Sequence, residues 1–171
     1  MNNEIQIFLN KLLEEFFLFA PQRVDSTVKI KEVEDISAID WSGRMPINNW
    51  KGLFLPAQEK LFDISDDKLV KPQVSQPLVA AVGVNIVDLK ALTLLELVFS
   101  RDVYYQERRR HSLIIGHSAN WPNDYKKYKV FSHNFKEDIL EHLVFDIFIV
   151  QLAAGRVKVY SGSEKGQRVL E

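Results

Sequence analysis

Apolar side chains at Ile5, Phe8, Leu9, Leu12, Leu13, Phe16 and Phe17 recur at the i, i+3, i+4, i+7 spacing that gathers them on one face of a helix. The spacing predicts an amphipathic helix over 4–19, capped by Asn2 or Asn3 and stopped by Pro21. Such a face ordinarily packs on the chain's own core; docking onto a partner protein is the sharper alternative. Residues 26–33 alternate as a short strand, with Val28 and Ile30 on one side. From Ile36 to Asn49 the pattern fades, and Gly43 and Pro46 mark loop. The segment Lys51–Pro56 is apolar. Beyond it, Leu61–Ile64 and Leu69-Val70 flank Ser65-Asp66-Asp67 as a hairpin, and Pro72 and Pro77 bracket an exposed connection.

The run Leu78–Val84 is apolar without interruption, as in a strand buried on both faces. Asp88 is positioned to cap a helix carrying Leu89, Leu92, Leu95, Val98 and Phe99 on its inner face. A second short helix over 102–110 leads to Leu113-Ile114-Ile115 and Gly116. Strand, helix, strand in this order predicts two parallel strands joined by a right-handed crossover. Residues 116–134 read as a long polar and aromatic loop, followed by a short helix near 135–142. Phe145–Val150 and Val157–Tyr160, turned at Gly155, form an antiparallel hairpin, and Ser163 caps a last turn. The expected fold class is α/β: a mixed sheet with a central parallel βαβ unit (strands near 78–84 and 112–115), an N-terminal amphipathic helix within 1–20, and a C-terminal antiparallel hairpin. It forms one domain over 1–171.

Composition narrows the function. A globule of 171 residues buries roughly 70% of its unfolded surface, enough for a sizeable core. A net charge of −1 argues against nucleic acid as a partner. No apolar run is long enough to span a bilayer and Met1-Asn2-Asn3-Glu4 lacks a basic leader, so neither membrane nor export is expected and the location expected is cytoplasmic. The chain has no cysteine, which removes disulfides, thiolate metal sites, a thiol nucleophile and Cys-ligated iron–sulfur clusters.

Ligands of open α/β sheets bind outside the carboxyl ends of the strands. Here those ends are Asn85-Ile86-Val87-Asp88 and Gly116-His117-Ser118-Ala119. The stretch Gly83-Val84-Asn85-Ile86-Val87-Asp88-Leu89-Lys90-Ala91-Leu92, then Asp102, Tyr105, Arg108, Arg109 and Ile114-Ile115-Gly116, resembles the 4Fe–4S beta subunit of cytoplasmic sulfhydrogenases and the corresponding 4Fe–4S component of anaerobic sulfite reductases. That family typically reads G-V-R-P-C-D-L-K-A-L, an aspartate-tyrosine-arginine segment, I-I-G-x-N-C and then C-F-C. Lys51–Phe62, Phe145-Asp146-Ile147 and Gly162-Ser163-Glu164-Lys165-Gly166 resemble further family segments, so the resemblance covers about 48–171.

Val87 and Ala119 stand where the family has cysteines, 116–134 holds no C-F-C, and the family's C-terminal ferredoxin-like domain has no counterpart in these residues. The resemblance therefore implies a cysteine-less, truncated relative that keeps the fold without the cluster, with no cofactor expected. It further implies a non-catalytic, protein-interaction or accessory component of a redox assembly, its partner a redox-complex protein or a second copy of itself. The alternative is a small-molecule or anion-binding protein, or an enzyme, that reuses the vacated strand-end pocket of Asn85, Val87, Asp88, His117, Ser118 and Ala119. No Gly-rich phosphate loop or nucleophile elbow is present, and no catalytic residue is assigned. His117 and His133 with Asp88 or Asp124 lack metal-motif spacing, so no metal is assigned. Arg108-Arg109-Arg110 end a helix, where cations suit the dipole. The same run is a candidate anion or partner contact. Lys126-Lys127-Tyr128-Lys129 is a second basic stretch, and Trp41, Trp50 and Trp121 are either partner anchors or loop packing.

Overall fold

The structure is a computed structural model and describes residues 3–65, 68–70, 77–119, 139–152 and 155–171. Its centre is a six-stranded mixed sheet built from β1 (Phe17–Val24), β2 (Thr27–Glu32), β5 (Val79–Val84), β6 (Ser112–Ser118), β7 (Ile147–Gln151) and β8 (Val157–Ser161), in the order β2-β1-β5-β6-β7-β8. The four inner strands β1, β5, β6 and β7 are parallel, and β2 and β8 add antiparallel edges. A separate two-stranded ribbon pairs β3 (Asp63–Ser65) with β4 (Lys68–Val70). The helices are α1 (Asn3–Glu15), α2 (Ile86–Val98), α3 (Val103–Arg110) and α4 (Glu164–Leu170). The expected βαβ unit, N-terminal helix and both hairpins are all present. The loop expected over 116–134 does not begin at Gly116, because β6 runs on to Ser118. Its 120–134 part, with Trp121, Asp124, Lys126 to Lys129 and His133, and the first part of the helix expected near 135–142 lie outside the described residues. Ile139–His142 is a short 3-10 turn.

Two apolar layers sandwich the sheet. On one face, α1 packs Ile5, Leu9 and Leu12 against Leu18, Ala80, Val82, Leu113, Ile115, Ile147 and Ile149. On the other, Ile86, Leu89 and Leu92 of α2, Tyr105 of α3 and the loop residues Trp50 and Phe54 cover Ala81, Ile114 and Phe148. The alternation along β6 is complete: Leu113 and Ile115 face α1 while Ile114 faces α2. All seven residues of β6 are buried, as expected for a central parallel strand.

The first helix is shorter than its periodicity predicts. It ends at Glu15, and Phe17–Val24 become a strand of the parallel core instead of helix and proline stop. Phe16-Phe17-Leu18-Phe19 satisfies the helical spacing and the aromatic-rich strand pattern equally. Tertiary pairing decides between them: Phe17 N–H donates to Leu78 O at 2.8 Å, and Phe17–Phe19 pair with Val79–Ala81. Pro21 is accommodated because β5 stops pairing with β1 at Phe19. There β5 bulges at Gly83, whose φ is +79°. A Cβ at Gly83 would lie 3.2 Å from Pro21 Cδ.

Candidate functional site

At the carboxyl edge of the sheet, Val84 pairs with Gly116, so the two predicted segments emerge side by side. The helix after β5 starts at Ile86, one turn earlier than an Asp88 cap would place it. Asn85 is the cap: its side chain accepts from Asp88 N–H at 3.0 Å and its Nδ2 donates to Asp88 Oδ2 at 2.6 Å. Cap and third helical residue therefore satisfy each other, a reciprocal box made by side chains. Burial pushes the Asp88 carboxyl above the usual carboxylate range, opposed by the Asn85 amide and the Trp50 indole. Trp50 is buried in the core.

The remaining predicted residues divide across the sheet. His117 continues the face of Leu113 and Ile115, where its ring meets Trp41 edge-on at 4.8 Å between centroids. Ser118 continues the face of Ile114, on the α2 side. Both are buried and both are already engaged within the fold. Ala119 is covered by the loop at Gly43, where φ is +72° and an added Cβ would stand 3.3 Å from Ala119 Cβ. Asn85, Val87 and Asp88 thus stand at the start of α2, on the side of the sheet that Ser118 faces, while His117 faces the other. Val87 and Ala119 offer no ligand atom, so a thiolate-held cluster does not fit these residues. Among the described residues no group of three His, Asp or Glu converges as a metal site.

The opposite edge carries the strongest polar assembly, at the amino ends of β6 and β7. Asp146 is only 1% exposed. Its carboxylate accepts from Arg109 Nη1 and Nη2 at 3.1 and 3.3 Å, from Ser163 Oγ at 2.7 Å and from Ile114 N–H at 2.8 Å. Lys165 Nζ stands 3.8 Å away and donates to the carbonyls of Ser112 and Arg109. Arg109 also faces Glu96 at 3.8 Å, and Glu96 accepts from the buried Tyr105 hydroxyl at 2.8 Å. Burial and the Glu96 acceptor push the Tyr105 hydroxyl up. Burial pulls the Lys165 ammonium down, with Asp146 opposing. Ser163 caps α4 by accepting from Gly166 N–H at 3.0 Å. Gly166 admits no side chain, because a Cβ there would lie 1.8 Å from Asp146 O.

The Arg108-Arg109-Arg110 run is therefore not a uniform solvated face or a free anion contact. Arg108 pairs with Glu59 and with the Phe54 carbonyl, Arg109 is held by Asp146, and Arg110 is the exposed one, bridging to Glu107 at 3.0 Å. The signal for this network lay in Asp146, a carboxylate leading an apolar strand, and in the Gly162–Gly166 segment. The tyrosine-arginine, F-D-I and G-S-E-K-G segments that carry the family resemblance meet here, as architecture. Sequence reading missed that meeting because its partners lie up to 56 residues apart.

The chain is 28% identical over 162 residues to the sulfhydrogenase 2 subunit beta of Pyrococcus furiosus, a match covering 93% of this chain and 46% of that protein. The identity supports a relation to that family. The matched stretch is longer than 48–171, so α1 and the β1–β2 hairpin contribute to it. The chain spans about half the length of the curated relative it matches. No protein-family model matches it, and no solved structure matches it. Among the described residues no helix is long and apolar enough to cross a membrane.

Proposed function

We propose that this chain is a cluster-free, non-catalytic component of a redox assembly, which binds a partner protein through the apolar corner where α2 ends and α3 begins. The observation that carries the reading is the exposure of that corner. Leu97, Val98 and Val103 are 68%, 73% and 68% exposed, and Leu94 adds to the same stretch. Helix α2 is apolar on nearly every side, where a helix serving only its own core keeps a polar outer face. Ile64 and Leu69 of the β3–β4 ribbon are also exposed, and Tyr104 of α3 donates to Leu61 O at 2.9 Å, just before that ribbon. Contiguous exposed apolar surface of this kind marks a protein interface. Similarity to a protein named a sulfhydrogenase subunit supports a redox-related partner, and the missing thiolates support a role without a cluster of its own.

A photo-crosslinking residue at position 97 or 103 tests the reading in the native cell. Crosslinking to a redox protein, abolished by Val98→Glu and retained in an Arg168→Gln control, is the expected result. Crosslinking only to a second copy of the chain, or a strict monomer in native mass spectra of fresh extract, overturns it. Stoichiometric iron and sulfide in anaerobically purified protein overturns the cluster-free part separately.

A further inference from the structure

A second site lies at the carboxyl end of β7, on the α1 face of the sheet. A cavity of about 330 Å³ opens there, within the size range of small-ligand pockets. Ile5 of α1, Ile149 of β7, Leu152 and Val157 give it apolar walls, and Trp41 gives it an aromatic one. Among its described lining residues, Gln151, Arg156 and the Trp41 indole carry polar side-chain groups. Among the described residues no acidic side chain lines it and no carboxylate pairs with Arg156.

A recess with these apolar walls, and an exposed Arg156 at its rim that pairs with no carboxylate among the described residues, suits a ligand with an apolar body and one negative charge. The space lies at the small end of the range for small-molecule sites and suits a small organic acid. The position obeys the rule for open α/β sheets, one strand beyond β6 and on the face where His117 meets Trp41. We infer that this cavity binds a small monocarboxylate with an aromatic or branched aliphatic body, packed between Ile149, Val157 and Trp41, its carboxylate held by Arg156 and Gln151. This inference is independent of the docking corner on α2 and α3, which lies on the other face.

Phenylacetate serves as the probe, with uncharged phenylacetamide as its isostere, read by thermal shift and by tryptophan fluorescence of the full chain. The expected result is saturable stabilisation by phenylacetate. Affinity should be about tenfold weaker for the amide and about tenfold weaker in Arg156→Gln, the scale of one charge-assisted hydrogen bond. Arg156 is exposed, so the variant folds. Arg168→Gln, which removes the same charge from α4, should bind as the parent chain does. Absence of a saturable response to phenylacetate overturns the inference, and so does equal weakening in the Arg156 and Arg168 variants.

Discussion

Replacing Asp146 by Asn tests whether the amino edge of the sheet is held by charge. The amide keeps an oxygen for the Ile114 N–H, 2.8 Å away, so the variant removes the negative charge while leaving that backbone donor an acceptor. Arg109 then loses its bidentate partner at a site where its side chain is 12% exposed. Lys165 also loses its counter-charge, but its 34% exposure lets water take over part of that role. Removing one member of a buried ion pair costs about 3–5 kcal/mol, because the other charge stays behind uncompensated. For a chain of this size each kcal/mol moves the midpoint by about 2–4 °C, so melting should fall by roughly 6–20 °C. The assay is a double-mutant cycle by urea unfolding: Asp146→Asn, Arg109→Met and both together. If the pair acts as a unit, the double variant loses clearly less than the sum of the singles. Additivity within about 0.5 kcal/mol, or a single-variant loss under about 1 kcal/mol, would refute the reasoning.

Further outcomes follow from the same geometry. Gly166→Ala should cost about 3 kcal/mol or more, since its Cβ would overlap the Asp146 carbonyl, and circular dichroism melts would show it. Gly43→Ala should cost about 1–2 kcal/mol from the left-handed backbone alone, plus displacement of Ala119, measured by chemical denaturation. Burial lowers the Lys165 pKa from 10.5, so the unfolded chain binds more protons between the lowered value and 10.5. Stability should rise with pH across that window, and Lys165→Met should flatten the rise in denaturation midpoints. Asp88 has the opposite sign: with its pKa raised above 3.8, the folded chain holds the extra proton. Its contribution falls as pH climbs from 3.8 through the raised value, and Asp88→Asn should remove that part of the acid limb.

Where a segment's burial repeats along the chain, the sequence alone is enough to read it. The apolar run before Gly83, the Leu89, Leu92 and Leu95 face and the Phe145–Val150 strand each announce their element by pattern, and the hairpin at Gly155 follows from its neighbours. Val98, expected on the inner face, is 73% exposed because it falls where α2 ends, on the side turned away from the sheet. Phe16–Ala20 is ambiguous because one run of residues fits two periods, and only a parallel partner about sixty residues away resolves it. Asn85 and Asp88 are both capping residues by type, and the choice between them depends on where β5 releases the chain. Charge density at Arg108–Arg110 is visible in the sequence, but its destination is not, since nothing local to α3 reveals a carboxylate 37 residues on. The cavity beside Trp41 is not legible at all: its walls come from a helix, a loop and two strands whose approach is set by the sheet order.

Asp146 also bears on how the chain reaches its native state. If β7 paired with β6 while α4 was still unseated, that carboxylate would leave water without the Ser163 hydroxyl, 17 residues downstream, to donate to it. A sheet assembled without α4 would hold an acid short of one donor and its nearest ammonium, so it should be poorly populated. Closing the sheet and seating the last helix should then be a single event. Native-state hydrogen exchange would show this directly: the Gly166 amide, at the chain's periphery, should open only with the central strands and not by local fraying.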